Sequence, residues 1–325
     1  MKVQFISHIP GDFHEKRKAH LHFVPFYLEK MGYKVNIIHK KSWPFFYWEY
    51  LKFKPDVMIV SGIIAILPTI FKRIGLIRKP IIYYWGDYFH ETMGAKWGPD
   101  KCAFIEFYCA KKADYVTTPS FFLNNVGEIV GIKTQYLPHG YLEEIKQIKK
   151  SHLPELNQKQ KKLLKFIYLG DVNTYKRVDR IINAVKGKQC VLYIIGKEYG
   201  EKVIKDLPEN VIYLPEMSHE KAIQYTKACD IAVITSDQDS TLKMFEFMAL
   251  GMPMLAFNGR INYVLRHMDT AYLTADMNEG VDRFIKEKDL ALKISSNLKK
   301  MKVSTWEDVG KEYDRIIKIL TKKDG

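Results

Sequence analysis

Cysteine is scarce and scattered here: Cys102, Cys109, Cys190 and Cys229 are the only four in 325 residues, and no two have Cys-x-x-Cys spacing. That excludes a zinc ribbon and a disulfide framework, and it suits free, buried thiols in a reducing cytoplasm. Long apolar runs are missing too. The longest uncharged stretch, Val57–Phe71, is shorter than the roughly 20 residues a membrane-spanning helix needs, and Ser61, Gly62 and Pro68 break it into strand, turn and helix. No secretory leader is evident, because Met1-Lys2 leads straight into the strand-like Val3-Gln4-Phe5-Ile6. Acidic residues are the third deficit: 37 Asp and Glu face 51 Lys and Arg, a formal net charge of +14. Residues 1–150 hold 22 of the cations against 13 acids, so nine of the excess charges are N-terminal (22 − 13). A nucleic acid, an anionic membrane or a phosphorylated small molecule could use such a surface. No recognition helix, zinc spacing or RNA-binding aromatic motif accompanies the charge, which sets nucleic acid aside as a partner.

What is present is alternation. Val3–Ser7, Val35–Ile38, Asp56–Val60, Pro80–Tyr84 and Tyr115–Thr117 read as short strands separated by helix-length segments, with Gly32 stopping the first helix. After Gly140 the chain turns polar, and alternation restarts at Phe166–Leu169, continuing through Val191–Ile195, Val211–Leu214, Ile231–Ile234 and Met254–Phe257. The expected fold is therefore α/β, with two Rossmann-like α/β/α domains facing across a cleft: residues 1–145, a linker at 146–164, a second domain at 165–303, and a final helix at 304–325 returning to the first. Ligands in such sheets sit at the carboxyl ends of strands, so the loops there carry the chemistry.

Two loops stand out. The run Ser236-Asp237-Gln238-Asp239-Ser240-Thr241-Leu242-Lys243-Met244-Phe245-Glu246 follows a strand, and the spacing predicts a helix over 241–250 with Ser240 as N-cap and Gly251 at its end. The free N–H groups of Thr241, Leu242 and Lys243, with the Lys243 ammonium, make an anion site. Glu246 lies among Met244, Phe245, Phe247 and Met248, where an unpaired carboxylate would cost about 1–3 kcal/mol or more. It sits about 9 Å of helix beyond Ser240, so a diphosphate at the helix start would leave a ribose within its reach; a carboxylate paired with a structural Arg or turned to water is the alternative. The second loop, Gly170-Asp171-Val172-Asn173-Thr174-Tyr175-Lys176-Arg177, precedes a helix with Val178, Ile181, Ile182 and Val185 on one face. Gly170 lets backbone approach a ligand. Lys176 and Arg177 bring charge suited to a diphosphate leaving group.

These stretches resemble the retaining glycosyltransferases of the type B fold, in the family four group that includes sucrose synthases. The Lys243–Pro253 helix follows that group's Lys-x2-Glu-(Tyr/Ala)-Met-Ala-x-Gly-x-Pro pattern, and Gly170 through Lys176-Arg177 echoes its Gly-Arg-x3–4-Lys-Gly loop. Ala228–Val233, Ala113–Ser120, Pro138-His139-Gly140 and Ser304–Glu307 are further points of similarity. The resemblance implies a nucleotide-sugar donor, UDP- or GDP-linked, held by Glu246 at the ribose, by Lys176 and the Ser240–Lys243 helix start at the diphosphate, and by Glu216 and Met217 near the base. It implies neither metal nor cofactor, and a sugar transfer that retains configuration. Three residues depart from the group: Asp171 replaces an Arg, Gln238 replaces the first Glu, and Asp87 in Tyr84-Trp85-Gly86-Asp87 stands near the position of a His. The candidate catalytic set is thus Asp87, Lys176 and Gln238, with Arg177 able to deputise for the lost cation. A sugar-nucleotide epimerase or hydrolase of the same fold, or a catalytically silent subunit, are the rival readings.

The acceptor side falls to the N-terminal half, where Gly11, Asp12 and His14 follow the first strand beside Lys16-Arg17-Lys18. Residues 40–54 mix Trp43, Phe45, Phe46, Tyr47, Trp48, Tyr50 and Phe53 with Lys40, Lys41, Lys52 and Lys54, and Ile70-Phe71 with Lys72, Arg73, Arg78 and Lys79 follow soon after. Such a mixture suits an anionic membrane surface. The expectation is a cytoplasmic enzyme, peripheral at the inner face of the membrane, acting on a glycan or lipid-linked acceptor.

Overall fold

The computed structural model describes residues 1–7, 20–39, 45–88, 98–153, 159–200 and 203–322. The chain divides into two compact units: Met1–Gly140 with Ser304–Gly325, and Tyr141–Val303. Each is built on one six-stranded sheet whose neighbouring strands all run parallel.

In the first unit the sheet order is β2-β1-β3-β4-β5-β6, with β1 Lys2–Ser7, β2 Lys34–His39, β3 Val57–Ser61, β4 Ile81–Tyr84, β5 Tyr115–Thr118 and β6 Gln135–Tyr136. Between them lie α1 His20–Lys30, α2 Phe46–Phe53, α3 Ile66–Arg73, α4 Pro99–Lys112 and α5 Phe121–Ile129. The β3 residues are buried throughout, as a strand covered on both faces requires. One face packs Ile6, Met58, Val60, Tyr83 and Trp85 against Phe46, Ile64 and Cys109. On the other face the terminal helix α11, Trp306–Lys322, returns to this unit: Trp306 stacks on Phe23 of α1 at 4.5 Å, and the Tyr313 hydroxyl meets Thr117 Oγ1 of β5 at 2.7 Å. Thr305 and Asp308 cap its start reciprocally. Gly140 lies against that start so closely that a Cβ there would come within 2.4 Å of the Trp306 nitrogen.

The second unit has the order β12-β11-β10-β7-β8-β9, with β7 Leu164–Leu169, β8 Cys190–Ile195, β9 Val211–Leu214, β10 Ile231–Ile234, β11 Met254–Phe257 and β12 Tyr272–Thr274. Its helices are α6 Asp179–Val185, α7 His219–Thr226, α8 Leu242–Ala249, α9 Met277–Lys286 and α10 Lys288–Lys300. Strand order reverses between β7 and β10, the point where ligands enter doubly wound sheets. The polar stretch after Gly140 is no free connection at its start: Tyr141 and Ile145 are buried with Ile223, and Lys227 Nζ donates to the Lys146 and Ile148 carbonyls at 2.8 and 2.7 Å. All four thiols are free, three of them buried; burial pushes Cys109 up to about 12 and Cys190 up to about 11, which makes both unreactive. No helix among the described residues is long and apolar enough to cross a membrane.

Candidate functional site

The loops after β7 and β10 meet because their strands are neighbours, with Ile231, Ala232 and Val233 beside Phe166, Ile167 and Tyr168. Gly170 directly follows β7, and its N–H donates to the Ile195 carbonyl at 3.0 Å. Gly196, just past β8, makes that approach possible: a Cβ at 196 would lie 1.8 Å from the Gly170 oxygen. Residues 174–178 then turn into α6, and Val178, Ile181, Ile182 and Val185 are all buried, the face that the periodicity predicts.

Lys176 is fixed from three directions. Its N–H donates to Asn173 Oδ1 at 2.8 Å, its carbonyl accepts from the Thr235 hydroxyl at the end of β10, and its ammonium donates to Gln238 Oε1 at 2.9 Å. Gln238 Nε2 in turn donates to the Tyr175 hydroxyl at 2.9 Å, and the Lys176 ammonium lies 5.5 Å from the Tyr175 ring centroid. Two of the three candidate catalytic residues are therefore in direct contact. The third, Asp87, belongs to the other unit, after β4, where its charge adds to burial in raising the Tyr84 phenol well above its ordinary value. Arg177 adopts a left-handed backbone, φ 53°, and its guanidinium lies 3.8 Å from the Asp179 carboxylate.

The helix start differs from expectation in one respect. Thr241, not Ser240, occupies the N-cap of α8, with φ −71° and ψ 118°, and its carbonyl accepts from the Met244 N–H. The Thr241 hydroxyl is spent on the Gln238 carbonyl at 3.3 Å, so the N-cap side chain does not cap the helix. The first-turn N–H groups of Leu242 and Lys243 thus have neither an intrahelical partner nor a cap from Thr241, which suits an anion. The far end closes as predicted: Gly251 is left-handed at φ 62°, with Met252 N–H on Phe247 O and Gly251 N–H on Met248 O.

Glu246 is not left unpaired in its apolar surroundings. Its side chain is 13% exposed; Oε1 accepts from His219 Nε2 at 2.8 Å and Oε2 from Lys243 Nζ at 3.0 Å. Burial pushes this carboxyl up, but the Lys243 charge and the His219 hydrogen bond and charge outweigh it, leaving it below the ordinary value. Lys243 is accordingly a counter-ion of Glu246 as well as a cation near the helix start. His219 was missed by sequence reasoning. It opens α7 directly after Glu216, Met217 and the capping Ser218, and the only available signal was its place at the carboxyl end of β9. Arg180 and Arg260 were missed too: Arg180 packs 3.6 Å over the Phe257 ring and bonds the Thr235 carbonyl, while Arg260 pairs with Asp237 at 3.4 Å. Gly11, Asp12 and His14 lie outside the described residues. Among the described residues no group of three or more His, Cys, Asp or Glu side chains is placed to hold a metal ion.

Residues 149–301, which span this site, match the model of the family described as "Glycosyl transferases group 1". No curated protein matches the sequence. Among solved structures, the chain is similar to a sucrose-phosphate synthase from Thermosynechococcus elongatus (14% identity, 98% of this chain and 99% of that one, TM-score 0.80). It is also similar to the Anabaena protein HepE in complex with UDP-glucose (14%, 98% and 100%, 0.75). A third likeness is to a UDP-GlcNAc 2-epimerase from Neisseria meningitidis bound to UDP-GlcNAc (14%, 99% and 100%, 0.61). At such identities these likenesses speak to fold alone. The paired parallel six-stranded sheets give the chain the type B fold, and within it residues 149–301 are similar to the glycosyl transferases group 1.

Proposed function

We propose that the protein moves a sugar from a UDP- or GDP-linked donor to a glycan or lipid-linked acceptor, with retention of configuration and without a metal or cofactor. The observation that carries this reading is the direct Lys176–Gln238 contact at the β7–β10 switch point, beside an uncapped helix start one turn before Glu246. In this reading the donor diphosphate lies against the Leu242 and Lys243 amides and the Lys176 ammonium. As the bond from sugar to diphosphate breaks, negative charge grows on the leaving oxygens, and prealigned donors stabilise it without reorganisation. Glu246 accepts the ribose hydroxyl protons, held in its ionised form by Lys243 and His219. Gln238, neutral and already oriented by Tyr175, offers hydrogen bonds to the donor sugar. Glu216 and Met217 lie toward the base.

The test is a thermal-shift series with UDP-, GDP- and ADP-sugars on the native chain and on Glu246→Ala. A donor at about 100 times its dissociation constant stabilises by roughly 2.7 kcal/mol, so one nucleotide class raises the melting temperature of the native chain and not of the variant. A native chain that no nucleotide sugar stabilises overturns the reading. Release of free sugar or of an epimer from donor alone assigns the epimerase or hydrolase alternative instead.

A further inference from the structure

We propose that the N-terminal unit docks on an anionic lipid bilayer through one face made by α2, the end of α3 and α4. The inference gives the lipid-linked acceptor of the preceding reading a location, and its biological sense rests on that reading, but its test does not. On α2 the inward side is fully used: Phe46 and Tyr47 pack on Phe71 of α3 at 5.2 and 5.0 Å between ring centroids, and Tyr47 stacks on Tyr50 at 5.9 Å. The opposite side carries Phe45, Trp48 and Leu51, with Trp48 69% exposed. The segment that follows α3 lies alongside α2, because the Tyr47 hydroxyl donates to the Leu76 carbonyl at 3.5 Å and Tyr50 hydrogen-bonds the Arg78 backbone. Leu76 and Ile74 are exposed there. The end of α3 adjoins α4 in turn, where Arg73 donates to the Tyr108 hydroxyl at 3.4 Å and Phe104 stacks on Tyr108 at 6.0 Å while remaining 67% exposed.

Six exposed apolar side chains on three linked elements are more than the scattered surface hydrophobes of an ordinary protein. Charge decides what covers them. Lys52, Arg73, Arg78, Lys79 and Lys101 are exposed on the same elements and outnumber the exposed Asp100 of α4 and the half-buried Glu49 of α2, while the nearby Asp114 is taken by Lys72 at 2.9 Å. A cationic surface with outward Trp and Phe matches the headgroup region of an acidic bilayer, where aromatic rings sit at the interface and lysine stems reach past them. A second copy of the chain would bring like charge to like.

Flotation of the full chain with vesicles reads the inference without turnover. With roughly one-third phosphatidylglycerol in phosphatidylcholine the protein floats at low salt, and about 0.5 M salt releases it by shortening the screening length. Trp48→Ser with Phe104→Ser lowers partitioning by about tenfold and leaves the melting temperature and the donor-induced thermal shift unchanged, as exposed positions should. Lys52→Glu with Lys79→Glu lowers it on acidic vesicles only. Failure to float at low salt, equal flotation on phosphatidylcholine alone, or insensitivity to both variants overturns the proposal. So does a dimer that Trp48→Ser dissociates while no vesicle binds.

Discussion

The pairing of Glu246 with His219 supports a prediction that can be worked through. Replacing His219 by Ala removes one of the carboxylate's two partners and leaves Lys243 at 3.0 Å as the other. A hydrogen bond to a charged group is worth about 1.5–3 kcal/mol. His219 is 37% exposed, so solvent screening reduces this to about 1–2 kcal/mol. The C-terminal unit spans Tyr141–Val303, 163 residues (303 − 141 + 1); in a domain of that size each kcal/mol is worth about 2–4 °C, so the melting temperature falls by about 2–8 °C. The assay is a double-mutant cycle with Glu246→Gln, which keeps the volume and removes the charge. If the reasoning is right, His219→Ala costs about 1 kcal/mol less in the Glu246→Gln background. A cost equal in both backgrounds, within about 0.5 kcal/mol, refutes it. The pH dependence has a definite sign. Glu246 is depressed in the folded chain, so its contribution is fully present above the ordinary carboxylate value of about 4.3 and is lost as pH falls through the lower folded value. The His219→Ala deficit therefore holds near neutrality and shrinks in acid.

Three further outcomes are expected. Lys176→Ala lowers kcat/KM by about 100-fold or more while changing stability by less than about 1 kcal/mol, which steady-state kinetics and a melting curve separate; equal losses in both would make Lys176 a structural residue. Gly196→Ala forces the Gly170 loop off β8, costs upwards of about 2 kcal/mol and weakens the donor-induced thermal shift; a neutral outcome would mean the loop yields freely. Tyr313→Phe strips the buried Thr117 hydroxyl of its partner and costs about 1–3 kcal/mol in denaturant unfolding, with no effect on donor affinity.

Much of the fold was legible because parallel strands buried on both faces are written as short runs of apolar and β-branched residues. Val211–Leu214, Ile231–Ile234 and Met254–Phe257 have the bounds the pattern predicts. Two strands left no such mark. Gln135–Tyr136 and Tyr272–Thr274 lie at the edges of their sheets, are two and three residues long, and owe their order to one neighbour each. The site divides the same way. Lys176, Gln238 and Glu246 sit in local motifs, so sequence spacing could nominate them. Their partners are tertiary: His219 reaches Glu246 from 27 residues away and Tyr175 reaches Gln238 from 63, separations that no periodicity encodes. The shift of the N-cap from Ser240 to Thr241 has a similar origin, since the Thr241 carbonyl closes the first turn and its hydroxyl goes to Gln238.

That hydroxyl and the Lys176 ammonium meet on Gln238, which bears on the two departures from the family pattern. A Glu at 238 would accept the same ammonium as an ion pair and neutralise it where a diphosphate needs positive charge. Gln238 orients Lys176 at 2.9 Å without cancelling it. The lost cation at 171 is thus offset by a lost anion at 238, and the formal balance of those two positions with Lys176 is kept only if Asp171 does not enter the count. Asp171 is exposed, and its carbonyl, not its side chain, is what Tyr168 engages at 2.7 Å. An exposed carboxylate acts through a high dielectric and is screened by salt, whereas the half-buried Lys176 acts at close range. The two substitutions are therefore best understood as one compensated change, with Gln238→Glu alone expected to weaken donor binding and Asp171→Arg alone expected to strengthen it, the latter only at low ionic strength.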